Sequence, residues 1–280
     1  MRIYISADGE GVTGVVHGAE MHPEGREWEY GRRMMTADVN AAVAGAFDGG
    51  ATEVYVNDAH WSELNILPEK LDPRAQLLRG SGKSLPMMEG VEECDGVFFV
   101  GYHARVGDWR GVGSETLLGR EIFDVRVNGR PVGELGINAA VAHHFGVPVL
   151  LVTGDDALSA EAEDILPQAQ RAVVKYAIGR FSARCLSPQA TAEIIAREAR
   201  GAVLQLAGGA VARALPQWGH VVCEVEFVSP AQAAAAAIMP GAERVAARTV
   251  RCEAADAPTA SRAILAIMLL GARAADPWYG

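Results

Sequence analysis

Apolar positions alternate along the opening residues MRIYISAD, placing Ile3 and Ile5 on one face of an extended segment, which predicts a strand. Met35, Val39, Val43 and Phe47 then recur at helical spacing. They predict a helix from about Trp28 to Phe47, stopped by Gly49-Gly50. TEVYVND (52–58), GVFFVGY (96–102) and VPVLLVTGD (147–155) are short apolar runs of strand length, separated by helical or loop stretches. Near-continuous apolar strands of this kind suit a mostly parallel sheet with helices on both faces, an α/β layer architecture.

FDVRV and RPVG flank Asn128-Gly129, a dipeptide suited to a tight hairpin turn because both central positions need positive φ. A further helix is predicted from Glu134 through ELGINAAVAHHF to Gly146. Ser187-Pro188 and Ser229-Pro230 read as helix starts, with Ser capping and Pro at the first helical position. The strand-like segments GHVVCEVEFV (219–228) and ERVAARTVRC (243–252) lie among these helices. The expected division is an α/β domain over 1–164 and a smaller α+β lobe over 165–280. No internal repeat is present, and the Ala233 to Ala237 run reads as tight helix packing.

Composition narrows the function classes. With 280 residues, half of them hydrophobic, the chain can bury a sizeable core without staples. Its 25 basic and 35 acidic residues leave a net charge of −10, with no Lys/Arg run. Neither nucleic acid nor an anionic membrane is an expected partner, since both draw on clustered positive charge. The run Ala263 to Leu270 falls well short of the ~20 residues a bilayer crossing needs. The N-terminus reads directly as a strand rather than a signal peptide, so the expected compartment is the cytoplasm. Cys94, Cys185, Cys223 and Cys252 are far apart without a C-x-x-C pair. They predict neither a disulfide framework nor a thiolate zinc site, and are read as buried small apolar residues.

Ligands of open α/β sheets collect beyond the carboxyl ends of the strands. Those positions here carry Asp8 and Glu10 in the turn Asp8-Gly9-Glu10-Gly11, then Asn57, Asp58 and His60, then His103 and Arg105, with Glu134 after the hairpin. Singly, each is equally an ordinary turn, core or helix-start residue. Together, three carboxylates and two imidazoles without a thiol form an O/N donor set suited to Zn²⁺ or a similar divalent ion. Five side chains exceed the needs of one catalytic zinc. With one bridging carboxylate they would fit two ions roughly 3.5 to 4 Å apart, a pair that acidifies water and polarises a carbonyl.

The stretches SADGEG, VNDAH, GYHAR and RPVGELGINA, in this order and spacing, resemble the D-aminopeptidase family of binuclear zinc peptidases. VTGDD at 152–156 and CLSP at 185–188 extend the likeness over nearly the whole chain. The resemblance implies that Asp8, Glu10, His60, His103 and Glu134 hold two zinc ions, with Asp8 bridging. It further implies short peptides with an N-terminal D-residue as substrates, and a homo-oligomer, a decamer of stacked rings.

One position departs from the family. GVGSETLLG carries Glu115 where the resemblance implies a catalytic histidine. Three outcomes stand open: Glu115 is the general base, His17 or His22 reaches the site instead, or the enzyme is slow or takes another substrate. Asp58, Asp155 and Asp156 are candidate partners for the metal histidines, although turn capping suits Asp58. Arg105 suits either a substrate carboxylate or a structural ion pair, and His143 and His144 are read as structural. The expected function is a zinc-dependent aminopeptidase. The alternatives are a metal-dependent amidase or deacylase and a non-catalytic peptide-binding transport accessory protein. A phosphate-handling enzyme is disfavoured by the lack of a Walker-type glycine loop.

Overall fold

A computed structural model describes residues 1–210 and 218–274. In chain order its first elements are β1 (Arg2–Ala7), α1 (Trp28–Asp48), β2 (Glu53–Asp58), β3 (Ala75–Leu78), β4 (Gly96–Val100), β5 (Ile122–Val127), β6 (Arg130–Pro131) and α2 (Glu134–His144). There follow β7 (Val149–Asp155), α3 (Asp156–Ile165), β8 (Gln170–Gly179), β9 (Ser182–Cys185) and α4 (Pro188–Ala207). The last are β10 (Val221–Phe227), α5 (Pro230–Ala236), β11 (Ala242–Arg244), β12 (Thr249–Ala254) and α6 (Ala257–Ala272).

The large sheet has seven strands in the order β3-β2-β1-β4-β7-β8-β9, parallel except for the antiparallel edge strand β9. The expected α/β architecture is therefore the one observed. Alternation within the strands serves two cores. Ile3, Ile5, Val54, Val56, Phe98 and Val100 face α1 and α4, where Val39, Val43, Ile195 and Val203 complete one buried layer. Tyr4, Val97, Phe99 and Val149 face the other way, onto Leu135 and Ala139 of α2 and Leu158 and Ala162 of α3. Burial of these fully enclosed aliphatic and aromatic side chains, each worth about 1.5–3 kcal/mol, is the main force holding the layers together.

The small sheet runs β11-β12-β10-β5-β6 and packs on α5 and α6. Its β5–β6 connection is the expected hairpin: Asn128 and Gly129 both have positive φ, 52° and 74°. The expected seam at residue 165 is corrected by the pairing. β8, β9 and α4 complete the large sheet and its α1 layer, whereas β5 and β6 from the first half join the small sheet. α2 is common to both cores, with Leu135 in one and Ile137 in the other. The cysteine expectation holds for three residues. Cys94, Cys223 and Cys252 are buried, but Cys185 is exposed, because it lies on the outermost strand with no layer over it. Among the described residues, no helix is long and apolar enough to cross a membrane.

A fragment of residues 1–164 would leave α1 without α4, β5 without β10 and β7 as a raw edge. It is expected to show no cooperative thermal transition by far-ultraviolet circular dichroism. A transition matching that of the intact chain would restore a boundary at 165.

Candidate metal centre

The chain winds from β1 through β2 to β3 on one side of the large sheet and then returns to β4 on the other side of β1. The carboxyl ends of β1 and β4 thus flank a switch point, where loops part and leave a crevice. Asp8 stands one residue beyond β1, and its amide donates to the Val100 carbonyl at 2.8 Å, so the ladder fixes it. On the other side the Ala59 amide donates to Ala7 at 2.9 Å and brings His60 to the same edge. His103 follows β4, and Glu134 is the first residue of α2.

Gly9 and Gly11 carry the chain from Asp8 to Glu10 and onward. A Cβ on Gly9 would press on Met21 and His60, and one on Gly11 would enter the Tyr102 carbonyl. The glycines are required for close approach rather than for a left-handed bend, since neither has positive φ.

All five expected residues converge. Asp8 Oδ1 lies 3.1 Å from His60 Nδ1, while Asp8 Oδ2 lies 3.3 Å from His103 Nε2. Glu10 Oε2 is 3.2 Å from His60 Nδ1, and Glu134 Oε2 is 3.4 Å from His103 Nε2. Two triads therefore share one carboxylate: Asp8, Glu10 and His60 on one side, Asp8, His103 and Glu134 on the other. Ligand atoms of Asp8, Glu10 and His103 also fit within 4.8 Å of one another.

The outer ring nitrogens are committed. His60 Nε2 faces the Met21 carbonyl at 3.1 Å, and His103 Nδ1 faces the Ala104 carbonyl at 3.0 Å. A carbonyl only accepts, so each outer nitrogen carries the proton and each inner nitrogen can present a lone pair. These partners are main-chain carbonyls, not the expected aspartates. Asp58 caps its own turn, accepting from the amides of Asn65 and Ile66. Asp155 caps α3 and accepts from Leu158 and Val112, while Asp156 accepts from Ala177. Arg105 is likewise engaged in its own loop, its guanidinium donating to the Val106 carbonyl. His17 and His22 accept from Ala19 and Glu24 in the β1–α1 loop, and His22 meets Trp61 in a tilted ring contact at 4.6 Å.

Electrostatics marks the cluster as short of positive charge. Burial opposes ionisation of Asp8, yet its contacts with His103 and His60 hold the carboxyl below the usual range. Burial also disfavours the imidazolium forms, but Glu10 and Asp8 raise His60, and Glu134 and Asp8 raise His103, well above the ordinary value. Glu134 is pushed up by burial, and Glu115 by burial and then by Glu10 and Glu134, to about 8. Three carboxyls thus contact two imidazoles, with Glu115 within their field, and protons take the place that cations would otherwise fill. Among the described residues, Asp8 Oδ2 and Glu10 Oε2 are buried without a hydrogen-bond partner. Orphaned hard oxygens beside lone-pair nitrogens are what a pair of zinc ions requires, so the donor set fits the metal.

The segment 111–119 closes over this basin. The Leu117 amide donates to Glu134 Oε1 at 2.6 Å, Thr116 Oγ1 accepts from Val106 at 3.2 Å, and Gly113 packs against the Glu10 side chain. A larger hollow of about 610 Å³, bordered by Ser159, Gln170, Arg171 and Gln205, lies at the opposite edge of the sheet, where the strands begin. Sequence reasoning overlooked Lys175, which is fully buried and donates to three carbonyls of the β1–α1 loop. Its one signal is a lone charge within the apolar strand AVVKYAIG.

Fold and site together define a metal-dependent hydrolase built on a parallel sheet. The chain belongs to the D-aminopeptidase family, whose model matches residues 1–266. A curated D-aminopeptidase of Bacillus subtilis (strain 168) is 38% identical over 278 residues, covering 98% of each chain. The solved structure of the Zn-dependent D-aminopeptidase DppA from Bacillus subtilis, a self-compartmentalizing protease, matches with a TM-score of 0.92. It is 37% identical and 98% of both chains are covered.

Zinc content tests three of the five positions. Asp8→Ala is expected to lose both equivalents, and His60→Ala and His103→Ala one each, by plasma emission analysis of dialysed protein. Two equivalents retained in any of the three variants would contradict the shared-carboxylate geometry.

Proposed function

We propose that this protein is a zinc-dependent aminopeptidase that releases N-terminal D-residues from short peptides. In this reading Asp8, Glu10, His60, His103 and Glu134 would hold two zinc ions, Asp8 belonging to both donor triads. The observation that carries it is the pair of donor triads sharing Asp8, set in a chain that belongs to the D-aminopeptidase family over most of its length. Bound divalent ions supply Lewis-acid polarisation of a carbonyl and lower the pKa of water.

The side chains account for the remaining chemistry. Glu115 is the proton acceptor and then the donor to the leaving amine. Its carboxyl lies within the field of Glu10, His103, Glu134 and His60, and the tie between Leu117 and Glu134 holds its segment over the basin. Proton transfer is the task the family resemblance gives to a histidine at this place, and a carboxylate so placed can serve as the general base. Membership of the D-aminopeptidase family supports an aminopeptidase over a deacylase. A cavity of about 30 Å³ adjoins Glu134 and is lined by Leu85, Met87, Met88, Leu117, Ile137 and Leu265.

In this reading the protein is a homo-oligomer, and the family resemblance makes it a decamer. The self-compartmentalizing character of the Bacillus subtilis relative supports assembly. So does the rim of the sheet edge, where Trp61, Trp109, Ile178 and Phe181 are exposed.

Turnover of D-Ala-D-Ala and L-Ala-L-Ala by zinc-loaded wild type and Glu115→Gln tests this reading. The D-dipeptide is expected to be cleaved and the L-dipeptide spared. Glu115→Gln should lose about 10²- to 10⁴-fold in kcat while keeping its zinc. Full activity in Glu115→Gln would remove Glu115 from the mechanism, and cleavage of N-acyl amides alone would replace the aminopeptidase by a deacylase.

A further inference from the structure

The two halves of the centre are built differently. Asp8 continues the β1–β4 ladder, and Glu134 opens α2. His103 follows Gly101 and Tyr102, whose amides are tied to Thr153 of β7 at 2.9 and 3.1 Å. That triad rests on regular elements. Glu10, by contrast, projects from the irregular stretch between β1 and α1, which contains only a three-residue turn at Gly18–Glu20. The same stretch supplies the Met21 carbonyl that orients His60. The geometry of Glu10 and of His60 therefore depends on one loop.

Lys175 holds that loop from beneath. It sits in β8, fully buried, and its Nζ donates to the carbonyls of Glu10, Val12 and Val15 at 2.6, 2.9 and 2.5 Å. An ammonium has three donors, and all three are spent on main-chain carbonyls of this one segment. Burying a cation is costly, so the arrangement is retained only where the fold gains from it. The remaining hydrogen bonds from residues 9–15 to other elements are few, the Gly11 amide on Gly101 and the Thr13 amide on Asp38 Oδ2, both at 2.8 Å, while Val12, Val15 and Met21 add apolar contacts with the core. Deleting the ammonium would leave three buried carbonyls without their shared donor, directly behind the Glu10 side chain.

We infer that Lys175 is the positioning residue for the Glu10–His60 half of the centre, so that its loss weakens one metal ion and spares the other. The inference rests on the two-ion reading above. Co²⁺ titration of metal-free wild type and Lys175→Met, followed by visible absorption and calorimetry, tests it. Wild type is expected to take up two equivalents. In Lys175→Met one equivalent should stay within about twofold of its wild-type affinity. The other should weaken about 10- to 100-fold, the range for losing outer support of a metal ligand, and excess metal should restore kcat.

A merely structural lysine would lower thermal stability and leave both affinities alike. Val203→Ala, in the distant α1–α4 core, supplies that comparison. Should Lys175→Met fail to fold, Lys175→Gln retains one amide donor and is expected to show the same selective loss to a smaller degree. Hydrogen exchange of wild type gives an arm that needs no variant: the weaker equivalent should protect residues 9–27 and the stronger should not. Two equally tight equivalents in the Lys175 variants, or loop protection complete with the first ion, would overturn the inference alone. A wild type that takes up fewer than two equivalents would remove the two-ion reading, and the inference with it.

Discussion

The Asp8 carboxylate presents its two oxygens to two different imidazoles, His60 on one side and His103 on the other. This single contact joins what would otherwise be two separate donor groups. It exists because β1 lies between β2 and β4, so the residue just past β1 is the one position flanked by both neighbouring strand ends. Burial makes the arrangement demanding: carboxylates this enclosed need compensating charge. With Glu10, Glu115 and Glu134 alongside, two imidazoles cannot supply enough. In the two-ion reading, cations satisfy the basin where protons do so only partly.

The remainder of the fold serves to bring Glu134 and Glu115 to that point. The β5–β6 hairpin leaves the large sheet to join the small one, and the chain returns as α2 with Glu134 at its first turn. This excursion explains why the two sheets are interleaved in sequence. It also explains why α2 is buried on all sides: it is wedged between the large sheet and α6. Before the hairpin, segment 111–119 is tied down by the Glu134 carboxylate itself, so one side chain serves both the donor set and the wall that carries Glu115.

Much of this was legible in the sequence. Short apolar runs marked β1, β2, β4 and β7; the residues just beyond the first three include Asp8 and Glu10, His60 and His103, and Glu134 follows the hairpin. Asn128-Gly129 marked the hairpin because its chemistry is local. What failed was non-local. β8 carries Lys175 in the middle of its apolar run and pairs with an antiparallel edge strand, and its pairing with β7 has no local signature, so the division was set at 165, inside the large sheet. Cys185 was misjudged for the same reason. The partners of the histidines went unseen because main-chain carbonyls of Met21 and Ala104 have no residue signature. Lys175 was missed because its three acceptors lie 160 or more residues away in the chain.

Anomalous diffraction at the zinc edge from crystals of the zinc-loaded protein addresses the shared carboxylate most directly. The account predicts two peaks, one between Glu10 and His60 and one between His103 and Glu134, each in contact with a different oxygen of Asp8. A single peak, or two peaks of which one avoids Asp8, would contradict it.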